Sequence, residues 1–203
     1  MINRRVLFAC AAVAAWPRLA FAKQVIEGGF VKIGGIDQYI GIDGADRDNP
    51  VLLLVHGGPG ESQWPAQDVY RPWRRAFTVV QWDQRGAGRS YGQLGNQTPD
   101  VNLDRIVADG IEVAEHLRRT LGKKKIILLG HSWGSMVGVA MVQRRPDLFA
   151  AYVGTGQASS WAEVVNTQFD LLLARARKSG DEATVKRLEA IGRPDPLRAI
   201  ALG

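Results

Sequence analysis

The chain has 203 residues, 46% of them hydrophobic and 23% charged, which excludes a fibre or a disordered polymer and suits one globular domain with a substantial core. Its formal net charge of +6 does not point to nucleic acid: Arg4, Arg5 and Arg18 fall in the first 22 positions, which carry no acids, and the remainder holds 23 basic against 20 acidic residues. The one run of three basic residues, Lys123 to Lys125, reads as a solvated loop.

Residues 1–22 read as a removable signal peptide. Met1 to Arg5 is a charged start, Val6 to Ala15 an apolar core, and Ala20-Phe21-Ala22 an A-x-A cleavage site. The mature chain is then expected to begin at Lys23 and to be periplasmic or secreted, by the Sec route or, given Arg4-Arg5 ahead of Val6-Leu7-Phe8, the twin-arginine route. About ten apolar residues fall short of the roughly 20 that span a bilayer, so no stable membrane anchor is expected after signal removal. Cys10 is the only cysteine, which leaves the mature chain without disulfides, cysteine metal sites or thiol catalysis.

From Val25 to Ile42 apolar residues mix with Gly28-Gly29 and Gly34-Gly35, as in an antiparallel hairpin. Short apolar runs follow at Val51 to Val55, Phe77 to Trp82, Ile126 to Leu129 and, more weakly, Ala150 to Val153. Such runs suit strands buried on both faces of a parallel sheet. Between the second and third, apolar residues from Leu103 to Leu121 recur at helical spacing, with Asn102 placed to cap the start and Gly122 to end it. A further helix is expected from Trp133 to about Arg145, stopped by Pro146. Strand and helix therefore alternate, which predicts a doubly wound, mostly parallel α/β sheet. From about Ser159 only helices are expected, Trp161 to Lys178 and Asp181 to Ile191. The division is thus 1–22 signal, 23–158 the N-terminal part of an α/β core, and 159–203 the start of a helical cap.

Gly130-His131-Ser132-Trp133-Gly134 is a G-x-S-x-G sequence between a predicted strand and a predicted helix, the setting of a nucleophile elbow. Its glycines make room for a strained turn that lifts Ser132 above the sheet, and the Trp133 amide faces the place where an oxyanion would form. His56-Gly57-Gly58-Pro59-Gly60, directly after the run at 51–55, supplies the other half of an oxyanion hole, with Gly57 and Gly58 allowing close backbone approach. In Trp82-Asp83-Gln84-Arg85-Gly86-Ala87-Gly88-Arg89-Ser90, Asp83 and Arg85 are expected to shape the loop beside the site by hydrogen bonds, and His56 to hold its own loop. No residues cluster as metal ligands and no glycine-rich phosphate loop is present, so neither metal nor organic cofactor is expected.

The segments HGGPG, WDQRGAGRS and GHSWGS, in this order and at these intervals, resemble the prolyl aminopeptidase (proline iminopeptidase) family of α/β-hydrolases over Phe30 to Gly154. The resemblance implies an α/β-hydrolase fold with a helical cap and a serine hydrolase that removes N-terminal residues, often proline, from short peptides, with cap carboxylates holding the free amine. The family completes its triad with a downstream Asp and His, which this sequence does not contain before Gly203. His131 adjoins Ser132 and should point away from it, His56 opens the oxyanion loop, and His116 falls on the polar face of the helix at 103–121, so none is expected to act as base. The chain is therefore expected to be an inactive fragment. Two other readings stay open, an esterase or other acyl hydrolase on the same elbow and a non-catalytic binding protein of the same fold. Either way the expected partner is a small peptide or acyl substrate. Glu163, Asp170, Asp181, Glu182 and Glu189 cannot be assigned to an amine pocket, and oligomeric state is not legible.

Overall fold

A computed structural model describes residues 23–158 and 160–193. Residues 1–22, expected to be a signal peptide, and with them Cys10, lie outside the described residues. The chain enters through a hairpin of β1 (Val25–Ile33) and β2 (Ile36–Gly44), antiparallel from Val25 opposite Gly44 to Ile33 opposite Ile36. The turn is Gly34-Gly35, both at positive φ (55° and 83°), where a two-residue hairpin turn needs residues without a Cβ penalty. Gly28-Gly29 lies within β1 and is not a turn.

The remaining strands are β3 (Val51–Val55), β4 (Thr78–Trp82), β5 (Ile126–His131) and β6 (Phe149–Thr155), in the spatial order β1-β2-β4-β3-β5-β6. β4, β3, β5 and β6 are mutually parallel, and β2 joins them antiparallel to β4. Every residue of β3 and β4 is buried, as expected for central strands covered on both faces. Alternate residues go to different cores. Leu53, Val55, Val80, Trp82 and Leu128 pack in one large cluster with Ile106, Val107, Val113, Ala114 and Leu117 and with Val137 and Met141. Leu52, Leu54 and Val79 face the other side with Tyr70 and Phe77.

The helices of the large cluster are α2 (Leu103–Thr120) and α3 (Trp133–Arg144). Asn102 caps α2 by accepting from the Arg105 amide at 3.0 Å, worth about 1 kcal/mol, and Gly122 lies just beyond at φ 66°. Helical segments not predicted from the sequence include a 3-10 stretch, Trp64–Arg75, which carries Pro65 and Pro72 and has non-helical backbone at Ala66, and α1 (Gly88–Leu94), with glycines at 88 and 92.

β6 runs two residues past the expected Val153 and, among the described residues, is the last strand of the sheet, paired only with β5, with Val153 45% exposed. After it come α4 (Trp161–Ser179), capped by Ser160 accepting from the Glu163 amide, and α5 (Glu182–Ile191), capped by Asp181 accepting from the Thr184 amide. They pack on each other around Ala176 and Val185, while Leu171, Leu172 and Ile191 stand exposed.

Candidate active site

Ser132 sits between the last residue of β5 and the first of α3 at φ 52°, ψ −119°. For a residue with a Cβ this conformation costs on the order of 1–3 kcal/mol and persists only where the surroundings impose it. They do so through both backbone groups. The Ser132 amide donates to the Thr155 carbonyl at 2.9 Å, and the Ser132 carbonyl accepts from the Ser135 amide at 2.9 Å and from Ser135 Oγ at 2.6 Å. Ser135 Oγ in turn accepts from the Ala158 amide at 3.0 Å, so one buried hydroxyl ties the turn to the segment that leaves β6.

The flanking glycines are dictated by space. A Cβ on Gly130 would stand 2.3 Å from the Gly134 carbonyl oxygen, and one on Gly134 only 2.0 Å from that of Val55. Both obstacles are backbone, which cannot swing aside. α3 therefore starts against the end of β3, and this brings the 56–60 loop to the elbow. A Cβ on Gly57 would lie 3.3 Å from Ser132 Cβ and 3.3 Å from the His131 carbonyl oxygen.

His56 and Gln84 hold that loop. The Gln84 amide donates to His56 Nε2 at 3.1 Å, so the imidazole proton resides on Nδ1 and donates to the Gly57 carbonyl at 2.9 Å. Burial holds the His56 pKa below its ordinary 6.5, against the raising pull of the Gly57 carbonyl and of the Asp83 and Glu61 carboxylates. Gln84 Nε2 donates to the His56 carbonyl at 3.0 Å, and Gln84 Oε1 accepts from the Trp133 indole at 3.2 Å. Pro59, Gly60, Gln84, Gly86 and Trp133 are among the residues lining a small cleft here.

Asp83 and Arg85, on either side of Gln84, turn to other elements. Asp83 accepts from Ser62 Oγ at 2.5 Å and from the Arg89 amide at 2.8 Å, while its carbonyl accepts from Ser90 Oγ at 2.6 Å. The Arg89 guanidinium lies over the rings of Tyr39 and Trp64, 4.3 and 4.5 Å from their centroids. The Arg85 side chain is 1% exposed and forms an ion pair with that of Asp109 of α2, itself 0% exposed, while donating to the carbonyls of Pro99 and Gly34. Gln38 and Arg105 complete the hydrogen bonding of Asp109.

No described side chain hydrogen-bonds the Ser132 hydroxyl, and none of the three histidines reaches it. The exposed His131 ring is 3.0 Å through Nδ1 from Thr155 Oγ1. His116 departs from the expected polar helix face: it is half-buried in a groove formed with β1 and β2, and burial lowers its pKa, because the hairpin lies across this part of α2. Among the described residues no group of three His, Cys, Asp or Glu is arranged to hold a metal ion, and no helix is long and apolar enough to cross a membrane.

Sequence reading missed three supporting residues. Gln84 and Ser135 stood inside quoted motifs with no assigned role. Asp109 carried a signal, a carboxylate three residues after Ile106 on an otherwise apolar stripe, that was not used.

Residues 46–189, more than half of the chain, match the family described as "Serine aminopeptidase, S33". A probable aminopeptidase of Bacillus subtilis, YbaC, is 40% identical over 68% of this chain and 42% of its own length, and a proline iminopeptidase of Saccharolobus solfataricus is 29% identical over 86% and 55%. The crystal structure of a proline iminopeptidase-related protein from Thermus thermophilus superposes with a TM-score of 0.61 at 26% identity, covering 85% of this chain and 59% of that one. The chain thus spans about half the length of the curated relatives it matches. The family match and this structural likeness, on a mostly parallel sheet flanked by helices, show that the chain has the α/β-hydrolase fold and belongs to the serine aminopeptidase family of hydrolases.

Proposed function

We propose that this chain carries the nucleophile and the oxyanion pocket of a serine aminopeptidase, which releases N-terminal residues, proline favoured, from short peptides through an acyl-enzyme on Ser132. The observation that carries the reading is the strained φ of 52° at Ser132, held in place from both sides with Gly57 against its Cβ. A side chain kept in that conformation at the carboxyl end of a parallel sheet is what an attacking oxygen requires. In the proposed reaction Ser132 Oγ adds to the substrate carbonyl carbon, and the charge that develops on the carbonyl oxygen is taken by backbone amides of Gly57, Gly58 and Trp133. The amine then leaves with a proton, and water releases the acid from Ser132. The general base and its orienting carboxylate must come from outside the described residues. The 203-residue chain on its own is accordingly proposed to be inactive. The likeness to a probable aminopeptidase and to a proline iminopeptidase supports the aminopeptidase choice among acyl-transfer reactions.

The test uses the protein made from its whole reading frame, with a proline arylamide, a short acyl ester and a serine-directed phosphonate. Ser132→Ala is expected to lower turnover by at least about 10³-fold and to abolish labelling. Labelling that persists in folded Ser132→Ala removes the nucleophile assignment. Ester cleavage without arylamide cleavage selects the esterase, and silence of the wild-type protein in all three assays selects the binding protein. Export after cleavage behind Ala22 is part of the same proposal; recovery of the protein with residues 1–21 attached would remove it.

A further inference from the structure

We propose that Gln84 is the positioning residue of the oxyanion pocket: its side chain ties the His56-Gly57 loop to the Trp133 end of the elbow and thereby sets the gap that a substrate carbonyl enters. The proposal rests on the serine hydrolase reading of Ser132. Gln84, His56 and Trp133 are each 1% exposed, and they lie one or two residues beyond the ends of three different strands, β4, β3 and β5. The orientation of the Gln84 amide is unambiguous. A carbonyl only accepts, so Nε2 faces the His56 oxygen; an indole N–H only donates, so Oε1 faces Trp133. The neighbours on either side clamp the backbone of Gln84 from elsewhere. Asp83 is bonded to Ser62 and Arg89, and Arg85 to Asp109, Pro99 and Gly34. The Asp-Gln-Arg triplet thus consists of two anchors and one side chain that reaches the site.

What Gln84 joins is the proposed oxyanion apparatus itself. Its backbone amide fixes the His56 ring, whose Nδ1–H holds the Gly57 carbonyl, and Gly57 lies against Ser132. Its side chain holds the carbonyl of His56 on one side and the residue following Ser132 on the other. An apolar side chain of similar length would fill the volume and leave the His56 carbonyl and the Trp133 indole without these partners. The two halves of the pocket would then no longer be held at one spacing. Gln84 touches no reacting atom in this assignment and acts through the residues it bonds.

The experiment compares Gln84→Met and Gln84→Glu in the protein made from its whole reading frame, on a proline arylamide, with active sites counted by phosphonate titration and Tm recorded. Gln84→Met is expected to lower kcat per active site about 10²- to 10³-fold, the range found when an oxyanion donor is lost, with KM changed less than about threefold. Gln84→Glu gives a signature that a merely structural role would not. Ionised, it sets an oxygen against the His56 carbonyl oxygen; protonated, it donates there as the amide does. Its deficit in kcat relative to wild type should therefore shrink as pH falls from about 8 to about 6, while that of Gln84→Met stays constant. Should Gln84→Met not fold, the pH profile of Gln84→Glu decides alone. Ser132-dependent turnover that folded Gln84→Met leaves within about threefold of wild type overturns the proposal, as does a Gln84→Glu deficit that stays constant or grows as pH falls, and either result leaves the serine hydrolase reading intact. A wild-type protein without Ser132-dependent turnover overturns that reading, and this proposal with it.

Discussion

Around Ser132 buried polar side chains bond between segments far apart in the chain, whereas along α4 and α5 exposed ones bond within their own helix or to the neighbouring one. His56 meets Gln84, Gln84 meets Trp133, and Arg85 meets Asp109 of a helix 24 residues further along the chain. In the helical pair, Ser160 and Asp181 cap their own helices, and Arg177 meets Glu189 and Arg193 meets Asp170 at the surface. The difference separates two kinds of polar residue. Removing a partner in the first region strands a buried group that water cannot reach, while in the second water replaces what is lost. The elbow is therefore expected to share the stability of the sheet that carries it, and the helical pair to tolerate change independently of the site.

The largest effect should come from Asp109→Ala, which leaves Arg85 buried without its carboxylate. A loss of about 3–5 kcal/mol is expected in urea unfolding, and a loss below about 1 kcal/mol would mean that water compensates inside this network. Gly134→Ala comes next, because its Cβ would meet the carbonyl oxygens of Val55 and His56 at 2.0 and 2.5 Å. About 3 kcal/mol of destabilisation is expected, together with loss of phosphonate labelling at Ser132. Unaltered labelling would show that α3 can back away from β3 without disturbing the elbow.

A smaller effect depends on pH. The folded His56 has a pKa below 6.5, so the unfolded chain takes up this proton first as pH falls. The stabilisation from the neutral ring is complete above about pH 6.5 and is lost as pH drops through the folded-state value. Imidazole nitrogen NMR should find His56 neutral, with its proton on Nδ1, at pH 6.5; a ring already charged there contradicts the bonding described above. In the helical pair, Asp181→Ala should cost only about 1 kcal/mol through the lost cap of α5 and leave Ser132 labelling at the wild-type rate. Least of all, Leu172→Ser at a residue 56% exposed should change stability by less than about 0.5 kcal/mol. A larger loss in either variant would show that this region is not independent of the sheet.

Much of the fold could be read locally. The cap at Asn102, the stop before Pro146 and the runs that became β3 and β5 all depend on residues within one turn or one strand of each other. α1 could not be read in this way. Its sequence, GRSYGQL, has poor helical propensity, and it is held by Asp83, which accepts from the Arg89 amide from outside the helix. The 3-10 stretch at 64–75 was equally hidden, since its two prolines read as breaks and its aromatic residues find their partners on β2 and the sheet.

By itself the sequence determined the alternation of strand and helix, the motifs HGGPG, WDQRG and GHSWG and the places of their glycines, because spacing, turn chemistry and steric room are properties of neighbouring residues. Only the tertiary structure decided that Gln84 joins two of those motifs, that Ser135 locks the strained serine and that Asp109 sits buried beneath Arg85. Each is a hydrogen bond between residues far apart in the chain, formed because strand ends converge, and burial gives it the consequences that the same residues would not have in water.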